Sequence, residues 1–100
     1  MILNNQVALV TGAGQGIGKA AAVALAEAGA AVVVADIATG KAEETAETIL
    51  SLQRRAAAVP ADVGDLGDID RMVRRTLELF GQIDILVTMR GSRGGPISWT

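Results

Sequence analysis

Thr11-Gly12-Ala13-Gly14-Gln15-Gly16-Ile17-Gly18 joins a short apolar run, Val7-Ala8-Leu9-Val10, to an alanine-rich segment that begins near Gly16. The reading of this stretch decides the fold. Val7–Val10 is unbroken and apolar, as a strand buried on both faces requires. Glycines after such a strand let the backbone turn sharply, and they let an anion approach main-chain N–H groups with no Cβ in the way. A helix opening near Gly16 adds unsatisfied N–H donors and the positive end of its dipole. The spacing selects one pattern. The ordinary dinucleotide fingerprint G-x-G-x-x-G, begun at Gly12, needs a glycine where Ile17 stands. T-G-x-x-x-G-x-G fits instead, on Thr11, Gly12, Gly16 and Gly18, with Gly14 and Gln15 between them. A turn that only permits close helix–strand packing is the bland alternative. The context argues against it: a strand before, a helix after, and a second strand that ends in an acid.

Outward from the loop, strands and helices alternate. Gly16 to Ala28, with Ile17, Ala21, Leu25 and Ala28 on one face, predicts a helix closed by Gly29. Ala31–Ala35 is a second buried strand and ends at Asp36. A helix capped by Thr39 runs to about Gln53 and turns Ala42, Ala46, Ile49 and Leu50 inward. Ala56 to Ala61 reads as a third strand, followed by Asp62-Val63. Asp65 or Asp68 starts a third helix through Phe80, stopped by Gly81, and Ile83 to Val87 is a fourth strand. Connections this short permit only right-handed crossovers between parallel strands, with helices on both faces. The expected fold is therefore α/β: a partial Rossmann (doubly wound) three-layer arrangement of four parallel strands, order 3-2-1-4, with three helices. Residues 1–87 form one dinucleotide-binding half-domain, and residues 88–100 an irregular, glycine-rich and basic tail, with Trp99 expected to be exposed near its end.

Composition narrows the function. Half of the residues are hydrophobic, nearly all of them Ala, Val, Leu and Ile, which suits helices lying close on a buried sheet. A net charge of −2 gives no reason to expect nucleic acid or an anionic membrane as partner. Arg71, Arg74 and Arg75 on the third helix, and Glu43, Glu44 and Glu47 on the second, read as solvated helix faces. With no Cys and no His, disulfides, the usual metal ligands and the commonest general base are all missing, so no metal site is expected. The N-terminus lacks the basic and apolar regions of a secretory signal, and no apolar stretch approaches the ~20 residues of a membrane helix. A cytoplasmic location is the expectation.

Asp36 stands where the acid that binds an adenosine ribose is expected. A carboxylate there accepts hydrogen bonds from both ribose hydroxyls and repels a 2′-phosphate. No Arg or Lys follows it before Lys41, and Gln15 rather than a basic residue fills the loop. NAD is therefore favoured over NADP. A plain solvated strand end is the alternative reading of Asp36.

Together these residues resemble the short-chain dehydrogenase/reductase family. The resemblance spans residues 6 to 87 and is carried by the Thr11–Gly18 loop, Asp36, the pair Asp62-Val63, and Phe80-Gly81-Gln82-Ile83-Asp84-Ile85-Leu86-Val87. It implies an NAD(P)-dependent oxidoreductase acting on alcohol or carbonyl groups. It also implies a cofactor site on Thr11, Gly12, Gly14, Gln15, Gly16, Ile17, Gly18, Asp36, Ile37, Asp62 and Val63, the last two beside the adenine. The likeness weakens after Val87. The family continues with Asn-Asn-Ala-Gly, then a Ser and a Tyr-x-x-x-Lys that move the proton; here Thr88-Met89-Arg90-Gly91 follows, and there is no Tyr. Lys19 and Lys41 belong to the first two helical regions, and Ser92 and Ser98 have no base to activate them. No catalytic residue is assigned.

Three functions from different classes follow. The first is a family oxidoreductase that lacks its catalytic Tyr-x-x-x-Lys and is inactive alone. The second is a non-catalytic NAD-binding module. The third is an interaction fragment that self-associates or pairs with a relative through the open edge of its fourth strand. The abrupt break after Val87 also suggests a lost base. Thr88–Ser92 can be encoded ACN-ATG-CGN-GGN-TCN, and one A restored in front gives AAC-NAT-GCG-NGG-NTC. That reading forces Asn at the first codon and Ala at the third, and permits Asn, Gly and Ile or Val at the others. Sequencing the DNA across codons 87 to 93 tests it. The expected result is a restored frame that runs on into a Tyr-x-x-x-Lys segment; a restored frame without one ends the idea.

Overall fold

The computed structural model describes residues 2–88 and the backbone of residues 98–99. In chain order the elements are β1 (Val7–Thr11), α1 (Gly16–Glu27), β2 (Ala31–Asp36), α2 (Thr39–Ser51), β3 (Ala56–Pro60), α3 (Leu66–Phe80), β4 (Ile85–Thr88) and β5 (Ser98–Trp99). The sheet runs β3-β2-β1-β4-β5, and the first four strands are mutually parallel. The expected 3-2-1-4 order and three helices are therefore present. β5 was not expected. It pairs antiparallel to β4, Val87 with Trp99 and Thr88 with Ser98, on the edge that the sequence leaves open. Residues 89–97 of the expected irregular tail, and the side chain of Trp99, lie outside the described residues.

Alternation along the strands splits the core in two. Ala8 and Val10, Val32 and Val34, and Val87 face the layer of α1 and α2, where they meet Ala22, Ala26, Ala42, Ala46 and Ile49. Leu9, Val33, Ala35 and Val59 point the other way, against Met72 of α3, with Val73, Phe80 and Leu86 beside them. Both faces of β1 and β2 are closed, so their runs carry no polar residue before Thr11 and Asp36. Each large aliphatic side chain so buried contributes about 1.5–3 kcal/mol relative to exposure.

The helices follow their local signals unevenly. α3 starts at Asp65, whose side chain accepts a hydrogen bond from the Asp68 N–H, and it stops at Gly81 in the left-handed region (φ 80°). Thr39, expected to cap α2, makes no such bond; it is the first helical residue, behind Ala38. The buried stripe of α2 is Ala42, Thr45, Ala46 and Ile49, while Leu50 is 51% exposed rather than inward. On α1 the fully buried residues are Gly18, Ala22 and Ala26; of the expected face, Ala21 and Leu25 pack partly buried against the same cluster, while Ile17 is exposed. Gly18 lies against the loop after β1, where a Cβ would come within 2.0 Å of the Gly12 carbonyl oxygen.

The far ends of β1 and β4 are tied by Asp84. Its carboxylate accepts from the Val7 N–H at 2.7 Å, its own N–H donates to the Val7 carbonyl at 2.8 Å, and Gln82 bridges it to the Asn5 carbonyl. This reciprocal pair sets the Ala8–Ile85 register of the central strands. Thr11 pairs with Ala35, and Asp36 with Pro60, so the carboxyl ends of β1, β2 and β3 finish side by side, and the candidate site sits there.

Candidate functional site

At this rim the loop after β1 folds over the end of β2. The Ala13 N–H donates to the Ala35 carbonyl at 3.1 Å, and the Ala61 N–H, beyond β3, donates to the Asp36 carbonyl at 3.1 Å. Three strand ends are thus stitched into one ledge with Asp36 in the middle. The Asp36 carboxylate is half-buried and doubly held: Oδ2 accepts from the Gly14 N–H at 2.8 Å, and Oδ1 accepts from the Ala38 N–H at 2.9 Å. An ionised carboxylate offers about four lone-pair sites, so two remain for an incoming pair of hydroxyls.

The loop itself is shaped by two glycines. A Cβ on Gly18 would lie 2.0 Å from the Gly12 carbonyl oxygen, so only glycine lets α1 settle onto the turn. Gly16 differs. It adopts φ +60°, and a Cβ there would meet nothing within 4 Å. Its outer side is open space at the start of α1, whose N-cap residue, Gln15, makes no side-chain capping bond. A first helical turn without a cap, beside an open glycine, is what an anion needs in order to reach main-chain N–H groups.

Most of the sequence-derived site residues converge on this rim. Gln15, Gly16 and Ile17 are exposed on the loop, Ile37 follows Asp36, and Asp62 and Val63 follow β3. Ile17 (69%), Ile37 (71%) and Val63 (39%) are aliphatic yet exposed, and all three lie at strand or loop ends on the same rim. Apolar side chains held out of the core beside hydrogen-bonding groups suit a flat ring flanked by a sugar and phosphates. Asp62 accepts from the Gly64 N–H at 2.8 Å, which folds its turn back on itself. Thr11 is the outlier. It is fully buried, and its hydroxyl faces the Val87 carbonyl at 3.5 Å, so it sews β1 to β4 beneath the loop.

Two features were not among the sequence-derived candidates. The Ala38 N–H is a partner of the acid, and Thr45, buried on α2, reaches the Gly14 carbonyl at 3.3 Å. The arginines of α3 keep their expected role. Arg71, Arg74 and Arg75 pair with Asp68, Asp70 and Glu78 on an exposed face, contacts worth about 0–1 kcal/mol each.

The profile of the short chain dehydrogenase family matches residues 6–98. The chain belongs to that family. Among curated proteins, an uncharacterized oxidoreductase of Thermotoga maritima is 46% identical over 91 residues, which are 91% of this chain and 36% of that protein. The galactitol 2-dehydrogenase of Agrobacterium fabrum is 49% identical over 87 residues, 87% of this chain and 33% of the relative. A solved hydroxysteroid dehydrogenase from Escherichia coli superposes with a TM-score of 0.89 at 37% identity, covering 94% of this chain and 40% of that one. The chain therefore spans roughly a third to two fifths of the short-chain dehydrogenases it matches.

The two glycines should separate folding from binding. Gly18→Ala forces backbone against backbone and is expected to lower the thermal midpoint sharply or to leave the chain unfolded. Gly16→Ala has room for its methyl group and should cost about 1–2 kcal/mol, for the left-handed backbone alone. Circular-dichroism melts check this; equal losses would contradict the geometry.

Proposed function

We propose that this chain is the cofactor-binding half of an NAD-dependent short-chain dehydrogenase, and that its rim takes the adenosine diphosphate portion of NAD. One observation carries the reading: Asp36 is held at the end of β2 by the phosphate loop itself, with lone pairs left over. In this pose the amides at the start of α1 take the pyrophosphate. Asp36 takes the ribose hydroxyls, and Ile37 and Val63 flank the adenine. The bound cofactor would supply or accept the hydride. The chain's own residues bind and orient it.

Selectivity for NAD over NADP follows from charge. A 2′-phosphate would meet the Asp36 carboxylate at short range, and Ile37, the next residue, carries no compensating charge. The family relationship supports alcohol or carbonyl groups as the class acted on by the whole protein. These hundred residues contain no Tyr, and they supply no acid–base pair for that step. Residues 1–87 are the dinucleotide-binding half. For residues 88–100 the lost-base reading stands beside a family match that runs on to residue 98, and the nucleotide sequence separates the two.

A second reading keeps its interest because of the sheet edge. Among the described residues β5 pairs with β4 only at Val87 and Thr88. The outer side of Ile85 and Leu86 remains a place where a second copy could add a strand.

Calorimetric titration of the purified chain tests the main reading. NAD and ADP-ribose should bind, NADP about tenfold or more weaker, and Asp36→Asn should narrow that gap by removing the charge. A folded chain with no affinity for NAD or ADP-ribose would overturn the proposal, and equal affinity for NADP would overturn its cofactor choice.

A further inference from the structure

Hydroxyl side chains inside helices usually bond back to a carbonyl one turn earlier. Thr48 does so, donating to the Glu44 carbonyl at 3.0 Å, and Thr76 does so at the Met72 carbonyl, 2.8 Å away. Thr45 does not. It is fully buried, and its hydroxyl leaves α2 to donate to the carbonyl of Gly14 in the phosphate loop, 31 residues away in sequence. Gly14 is the residue whose N–H donates to Asp36. Both backbone polar groups of this one residue are therefore held, the carbonyl by α2 and the N–H by the acid. The surrounding space is tight. A Cβ on Gly14 would lie 2.7 Å from Lys41 Cβ and 2.8 Å from Asp36 Oδ2, so the residue is wedged between the first turn of α2 and the carboxylate.

We propose that Thr45 is a positioning residue for nucleotide recognition: through Gly14 it sets the place and the rotamer of the Asp36 carboxylate. The inference rests on the nucleotide reading for its consequence, but not for its geometry. The Gly14 carbonyl and N–H lie in adjacent peptide planes hinged at its Cα, so pinning the carbonyl holds that Cα in place and limits how far the N–H can swing. That N–H in turn fixes Oδ2, and Oδ1 is then left on the Ala38 N–H. With the Thr45 hydroxyl gone, residue 14 loses one of its two tethers. The carboxylate then samples positions in which it grips the ribose less well and opposes a 2′-phosphate less directly. A bond of 3.3 Å is long for a hydroxyl donor, so the effect is graded rather than all-or-none.

The test compares Thr45→Val, which keeps the side-chain shape and removes the hydroxyl, with Thr45→Ser, which restores it. Thr76→Val is the control, since it removes an equally buried hydroxyl bond on α3, away from the rim. In the full chain without nucleotide, amide hydrogen exchange is read at Gly14 and Ala38. Both amides should exchange about threefold to tenfold faster in Thr45→Val, and near the wild-type rate in Thr45→Ser and Thr76→Val. Unchanged exchange at both amides in Thr45→Val overturns the proposal, whether or not nucleotide binds. In the presence of nucleotide, Thr45→Val should lose about threefold to tenfold in NAD affinity and less in NADP affinity, so that the ratio falls. A loss confined to thermal stability, with the ratio intact in all variants, assigns Thr45 a packing role only and also overturns it. If the variants show the exchange pattern but the wild-type chain has no affinity for NAD, Thr45 still positions Asp36, and it is the nucleotide reading that fails.

Discussion

One carboxylate organises the rim of this molecule. Asp36 accepts the Gly14 N–H on one oxygen and the Ala38 N–H on the other, so the loop after β1, the end of β2 and the approach to α2 share a single anchor. Charge-assisted bonds of this kind are stronger than neutral ones, and two of them fix the plane of the carboxylate. Around it lie the open side of Gly16, the uncapped start of α1, and the exposed aliphatics Ile17, Ile37 and Val63.

The scaffold that holds the acid is built from small residues. α1 presents Gly18, Ala22 and Ala26 to the sheet, and α2 presents Ala42, Thr45 and Ala46, so both helices lie close to the strands and to each other. Closeness is what lets the Thr45 hydroxyl of α2 reach the Gly14 carbonyl in the loop after β1. At the opposite end of the strands Asp84 locks β1 to β4. A site that grips a ligand by a few hydrogen bonds needs this rigidity, because affinity falls when those groups wander. The chain spans only part of the length of its relatives, and its hundred residues include no Tyr.

Legibility in the sequence tracked the range of the interaction. The unbroken strands Val7–Thr11 and Ala31–Asp36 and the stop at Gly81 are written in neighbouring residues and were readable; the cap was narrowed to Asp65 or Asp68, and it is Asp65. The glycine spacing and Asp36 were readable too, because their chemistry recurs in a local pattern. Thr45 was not. By type it belongs on the polar face of α2, and Leu50 on the buried one. The place of Thr45 in the stripe Ala42, Thr45, Ala46 and Ile49 is compatible with helical periodicity, but the loop carbonyl 31 residues away that its hydroxyl meets is not written in that pattern. β5 was invisible because a two-residue antiparallel pairing leaves no period to detect.

The claim on which the rest stands is that a ribose and a diphosphate are gripped together at this rim. Two-dimensional amide NMR of the isotopically labelled chain, titrated with ADP-ribose, tests it residue by residue. The account predicts saturable shifts at Gly14, Gly16, Ile17, Gly18 and Ala38, with Arg71, Arg74 and Arg75 on α3 unmoved. Shifts confined to α3, or none anywhere in a folded chain, would contradict it.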